Sequence, residues 1–174
     1  GSTVGGIATG NASSSIYRLD AGYWHADDIY ISLTSPADAN LGAISGLLGG
    51  TGNASSTWLV TTNNPTGYSL SVQSSTYPAL KAPSAGIPDY VPAGSDPDFA
   101  FSVPATTSAF GFTAEGSDIV QRFKDNGSAC NAGTSNATDA CWDGFATTSK
   151  PIASSASGNH PFGTETVLKY RVSL

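Results

Sequence analysis

Methionine is absent from all 174 residues, position 1 included. The chain as given is therefore expected to be a processed or trimmed product. Charge is scarce as well: Asp, Glu, Lys and Arg together make up 11% of residues, less than half of ordinary usage. Seven basic residues face thirteen acidic ones, for a formal net charge of −6, and no basic run occurs. Nucleic acid is thus not an expected partner, since a phosphate backbone is held by a basic patch. No membrane span is expected either, because a helical span needs about 18–20 apolar residues. The longest apolar patch, at 41–48, is interrupted by Gly42, Ser45 and Gly46.

Catalytic signatures are missing too. The only histidines are His25 and His160, and neither accompanies a nucleophile elbow, there being no Gly-X-Ser-X-Gly. Glu115 and Glu165 are the only glutamates, so an acid/base pair of carboxylates would draw on Asp residues that sit in turn-like settings such as Ser95-Asp96-Pro97-Asp98. Asp27 with Asp28, Asp96 with Asp98, and Asp125 with Asn126 offer oxygen ligands for calcium, but without EF-hand spacing. The expectation is a non-enzyme with no catalytic residue, no metal site and no cofactor.

What fills the sequence instead is Ser and Thr, 43 residues together, with 20 Gly and 10 Pro. Three Trp, seven Tyr and seven Phe are spread along it, which separates it from disordered chains of similar polarity. Short strand-like runs alternate with turn formers: 16–19, 23–25, 29–33, 57–62, 68–72, 99–103, 110–113 and 164–174. Tyr68-Ser69-Leu70-Ser71-Val72 has the period of two expected of a strand with one buried face. No helical period lasts beyond two turns; 117–123 could form a short helix with Ile119, Val120 and Phe123 on one face. Residues 80–97, rich in Pro, Gly and Asp, read as a long surface loop. The pattern predicts an all-β fold, a two-sheet sandwich of Ig-like or jelly-roll type. A single domain would occupy 15–174. Residues 1–14, Gly/Ser/Thr-rich with Val4 and Ile7 as the large apolar residues, would be an extension that is loose unless a sheet or a neighbouring molecule holds it.

Cys130 and Cys141 are the only cysteines. The segment between them consists of turn formers and small residues, poor surroundings for two buried thiols. A disulfide is expected, stabilising the fold by about 3 kcal/mol in the chain-entropy model, and with it an oxidising, extracellular setting. Asn-X-Ser/Thr sequons at Asn11, Asn53, Asn126 and Asn136 are candidate glycosylation sites, against about two arising by chance at this composition. Trp24, Trp58 and Trp142 could line a sugar platform; core packing is the expected role of each.

Several segments resemble a group of secreted, Ser/Thr-rich bacterial surface proteins. They are Asp-Ile-Tyr-Ile-Ser-Leu-Thr-Ser-Pro-Ala-Asp at 28–38, Thr-Gly-Tyr-Ser-Leu-Ser-Val at 66–72, Phe-Lys-Asp-Asn-Gly-Ser-Ala-Cys at 123–130, Cys-Trp-Asp-Gly at 141–144 and Asn-His-Pro-Phe-Gly-Thr-Glu-Thr at 159–166. In architecture alone, the composition is similar to camelysin-like β-sandwich matrix and pilus subunits. The first resemblance implies one further strand beyond the segment matching 167–172. This chain stops at Leu174, so either it is trimmed there or the sandwich is one strand short, and a missing strand would leave an open edge. A neighbour's residues 1–14 could fill it, with Val4 and Ile7 as plugs. The expected function is a structural subunit of an extracellular filament, pilus or surface matrix, its partner being copies of itself. The alternative is a secreted carbohydrate-binding or adhesive module with a glycan contact.

Overall fold

The computed structural model describes residues 28–45 and 49–174, and the backbone of three earlier strands, β1 (Ala12–Ser13), β2 (Tyr17–Asp20) and β3 (Tyr23–Ala26). Val4, Ile7 and Asn11 lie outside the described residues, as do the side chains of Trp24 and His25. β1, β2 and β3 form an antiparallel sheet in that order.

The protein is all-β; among the described residues the one helical element is a 3₁₀ turn, Gln121–Phe123. The principal sheet is built from β4 (Ile31–Thr34), β5 (Thr51–Thr62), β9 (Ala109–Gly116), β10 (Asp143–Gly144) and β12 (Thr164–Ser173), with β6 (Tyr68–Val72), β7 (Leu80–Ala82), β8 (Ala85–Ile87) and β11 (Lys150–Ser155) outside it. Its order is β10-β9-β12-β5-β4, antiparallel throughout. β6 pairs with β11, and β7 with β8.

Alternation explains the long strands. In β5 the buried positions are Gly52, Ser56, Val60 and Thr62, and in β12 they are Thr166, Leu168 and Val172, so even-numbered residues face the core. Asn64 ends β5 in a side-chain-built turn: its Oδ1 accepts from Thr66 N–H at 3.1 Å and its Nδ2 donates to Gly67 O at 3.0 Å. Gly67 closes that turn at φ +76°, where a Cβ would sit 1.9 Å from Ser155 O.

β9 is buried on both faces from Ala109 to Ala114. Inward, Phe112 and Ala114 join Ile119, Phe123, Cys130, Cys141, Ile152 and Leu168, so side chains of β9, β11 and β12 meet in one core. Outward, the sheet is covered by a smaller cluster of Tyr90, Ala109 and Trp142 with Phe101 and Val103.

Three expectations change here. Residues 99–103 form no strand: Phe99 packs against the main core, while Phe101 and Val103 cover the outer face, Phe101 stacking on Tyr90 at 4.6 Å and meeting Trp142 at 5.2 Å. Residues 80–97 are not one loop but contain the β7–β8 hairpin and the buried Tyr90, whose N–H donates to Phe110 O at 2.7 Å. The helix expected over 117–123 shrinks to the one 3₁₀ turn, because Val120 is extended and donates its N–H to Ile152 O.

Candidate assembly surface

β12 is not an edge. It lies between β5 and β9 and pairs with both, Arg171 for instance opposite Asn53 on one side and Gly111 on the other. The open edge expected at the C-terminal strand is therefore elsewhere, at β4. Thr62 turns its N–H to Asn159 Oδ1 (2.8 Å) and its C=O to the N–H groups of Asn159 and His160, all on the β12 side. Its cross-strand partner Ile31 must then turn its own N–H and C=O away from β5, and Leu33 two residues on does the same. Among the described residues no strand pairs with that side.

β4 is unusual in its side chains as well. Ile31 stands opposite Thr62 and Leu33 opposite Val60, both core-facing partners, so Ile31 and Leu33 are on the core-facing side of the sheet. Yet they remain 62% and 50% exposed. No charge, proline or bulge interrupts the segment from Ile29 to Ser35, the devices that normally keep an edge from pairing. Asp28 and Pro36 bracket it. Asn63 holds its start: Oδ1 accepts from Tyr30 N–H at 2.9 Å and Nδ2 donates to Asp28 O at 2.9 Å. Tyr30 Oη also hydrogen-bonds His160 Nδ1, their rings meeting edge-on.

Beside Leu33 a cleft of about 290 Å³ opens, lined by Trp58 and Leu168 from the principal sheet and by Leu70, Ser71, Val72, Gln73 and Ile152 from the β6–β11 side. Its walls are predominantly apolar and carry no ionisable side chain.

The remaining expected residues divide clearly. Cys130 and Cys141 form the disulfide. Of the tryptophans, Trp142 is buried and Trp58 half-buried against the core. His160 is engaged by Tyr30, and no Ser or carboxylate hydrogen-bonds it among the described residues. Of the candidate calcium carboxylates, Asp27 lies outside the described residues; Asp125 accepts from Gly127 N–H (2.8 Å) and Ala137 N–H (2.7 Å), Asp96 from Asn131 Nδ2, and Asp98 from Tyr90 Oη and Ala93 N–H. The described residues hold no group of three or more His, Cys, Asp or Glu arranged for a metal, and no helix long and apolar enough to cross a membrane. Asn53 and Asn126 are exposed; Asn136 is half-buried, its amide accepting from Gly116 N–H and donating to the carbonyls of Ala114 and Phe123, bonds a glycan would displace.

No family model, curated protein or solved structure matches the chain. Its function must be read from its own geometry.

Two phenols mark the stability of this frame. Tyr68 Oη donates to Asp118 at 2.8 Å, and Tyr90 Oη to Asp98 at 2.6 Å. Burial first, and then the neighbouring carboxylate, raises both: Tyr90 to about 12, Tyr68 higher still. An unfolded Tyr ionises near 10. The neutral phenols therefore contribute stability that is complete below pH 10 and drains away as pH rises from 10 through the folded values. Melting temperature should fall steeply over pH 10–12, with absorbance at 295 nm reporting phenolate only as the fold is lost. A melting temperature flat across that range would remove these bonds from the account of stability.

Proposed function

We propose that the chain is a structural subunit of an extracellular filament, pilus or surface matrix, each copy completing its neighbour by strand complementation. One observation carries the reading: Ile31 and Leu33 face the core side of the principal sheet at an unpaired edge, yet half or more of each side chain stays exposed. On this reading the principal sheet and the β6–β11 pair are the two layers of an incomplete β-sandwich. A soluble monomer rarely leaves such an edge bare. The donor is residues 1–14 of another copy, which carry no charged residue and bring Val4 and Ile7 as plugs. A donor and an acceptor at different places on one chain make a head-to-tail contact that need not close, the geometry of a fibre. The disulfide and the Ser/Thr-rich, Lys-poor composition fit an extracellular setting.

The test is electron microscopy of the native protein and of a variant lacking residues 1–14. The native chain should give regular filaments and the deletion a folded monomer whose circular dichroism changes by no more than the loss of the two-residue β1. Filaments from the deletion variant would remove the tail as donor; uniform single particles from the native chain would remove the filament. The second reading, a glycan-binding module, draws on Phe162, 87% exposed in the turn that brings His160 to Tyr30, and glycan-array binding lost in Phe162→Ala would favour it.

A further inference from the structure

Resting on that reading, we infer where the received strand goes: it pairs with β6, in the cleft over Leu33, and does not extend the principal sheet at β4. Both edges have free backbone groups. Ser154 N–H donates to Asp118 O at 2.7 Å, away from β6. Its cross-strand partner Ser69 therefore turns N–H and C=O to the side opposite β11, and Ser71, two residues along, does the same. No strand pairs with that side among the described residues.

Side chains decide between the two edges. A strand added to β4 would lie in the plane of the principal sheet, roughly 4.8 Å from β4. It would cap the N–H and C=O groups of Ile31 and Leu33 and leave their side chains as bare as before. A strand added to β6 lies in the opposite layer, about 10 Å across from the principal sheet. There its inward side chains fall on Leu33 and Ile31. The cleft draws its lining from both layers: Leu70, Ser71 and Val72 of β6 and Ile152 of β11 on one, and Leu33, Trp58 and Leu168 of the principal sheet on the other.

The occupant must be extended, to use the β6 edge, and must send no charge inward, since no ionisable side chain lines the cleft to meet one. Within residues 1–14 of a second copy, the stretch before β1 meets both demands. Among all residues before Arg18 there is no Asp, Glu, Lys or Arg. Val4 and Ile7 are three apart, which places them on opposite faces of a regular strand. Gly5-Gly6 between them is the dipeptide best able to take a one-residue bulge, which turns both inward.

Hydrogen exchange on the intact chain, before and after assembly, reads the edge directly. The amides of Ser69 and Ser71 should slow by a factor of a hundred or more on assembly, while those of Ile31 and Leu33 change far less. Protection at Ile31 and Leu33 instead would overturn the assignment to β6. The occupant is read with the full-length double variant Val4→Cys, Leu33→Cys, oxidised after assembly and mapped by mass spectrometry with each single variant as control. A ladder of cross-linked chains supports a tail donated by a second copy. A bridge between the two introduced thiols within one chain would overturn that, making the tail its own subunit's strand. Filaments without this cross-link and without protection of β6 would overturn the cleft while leaving self-assembly standing. A native chain that forms no filaments would end both.

Discussion

Replacing Trp142 with alanine should destabilise the fold by about 3–5 kcal/mol, the usual cost of removing a fully buried Trp. At this chain length that lowers the melting temperature by about 6–20 °C. The side chain is 1% exposed and held from several directions. Its indole N–H donates to Asp139 O at 2.8 Å, its ring meets Phe101 edge-on, and the Arg171 guanidinium lies 4.4 Å from the ring centre. Its backbone is tied to Asp98 by two bonds of 2.7 and 3.0 Å. The loss should therefore spread to the 98–103 cover and bare the outer face of β9. Trp142→Phe keeps an aromatic ring and loses the N–H donor, and should cost only about 1–2 kcal/mol. Thermal melts of the two variants check this. A Trp142→Ala protein that melts within about two or three degrees of the native one would mean that the outer-face cluster is decoration on a core complete without it.

Removing the disulfide through Cys130→Ala, Cys141→Ala should cost about 3 kcal/mol, from the loop entropy restored to the unfolded chain. The two cysteines are 11 residues apart, and Cys141 is wholly buried in the main core. The loop should nevertheless stay folded in the variant, because Asp125 staples it independently. Its carboxylate holds Gly127 and Ala137, and its backbone exchanges two bonds with Ser135. Adding Asp125→Ala should then cost more than the separate losses together, as expected for groups that brace one segment. Denaturant midpoints with and without a reductant check it: reductant should lower the native midpoint to that of the double alanine variant and leave the variant unmoved. A native midpoint insensitive to reduction would show that the loop is held by Asp125 and the core alone.

The all-β class was legible because the strands that pack one face write their own alternation. Tyr68–Val72 matches its expected limits, and β12 differs from its expected run only at Leu174. β11 was not legible: Lys150-Pro151 opens it, and a bulge between Pro151 and Ala153 breaks the period. Residues 99–103 look like a strand for the opposite reason. Phe99, Phe101 and Val103 alternate because they pack into cores, Phe99 into the main one and the other two into the outer cluster, without forming a strand. The edge was misplaced for a topological reason. Position in sequence says nothing about position in a sheet, and the last strand of this chain is its middle one. The uncovered side chains of β4 were beyond sequence altogether: Ile31 and Leu33 are residues any reader would bury.

The placement of β12 governs how the molecule comes to exist. Each of its partners lies far back along the chain, with Arg171 bonded to a residue 118 positions earlier. Loop closure over such distances comes before any reward in contacts, so folding belongs to the slow, non-local regime of milliseconds to seconds. Until β12 arrives, no ladder joins β5 to β9, and a nascent chain that stops short of it holds two separate pairs, β4 with β5 and β9 with β10, in place of the five-stranded sheet. The five-stranded sheet thus stays open until β12 is present to join its two halves.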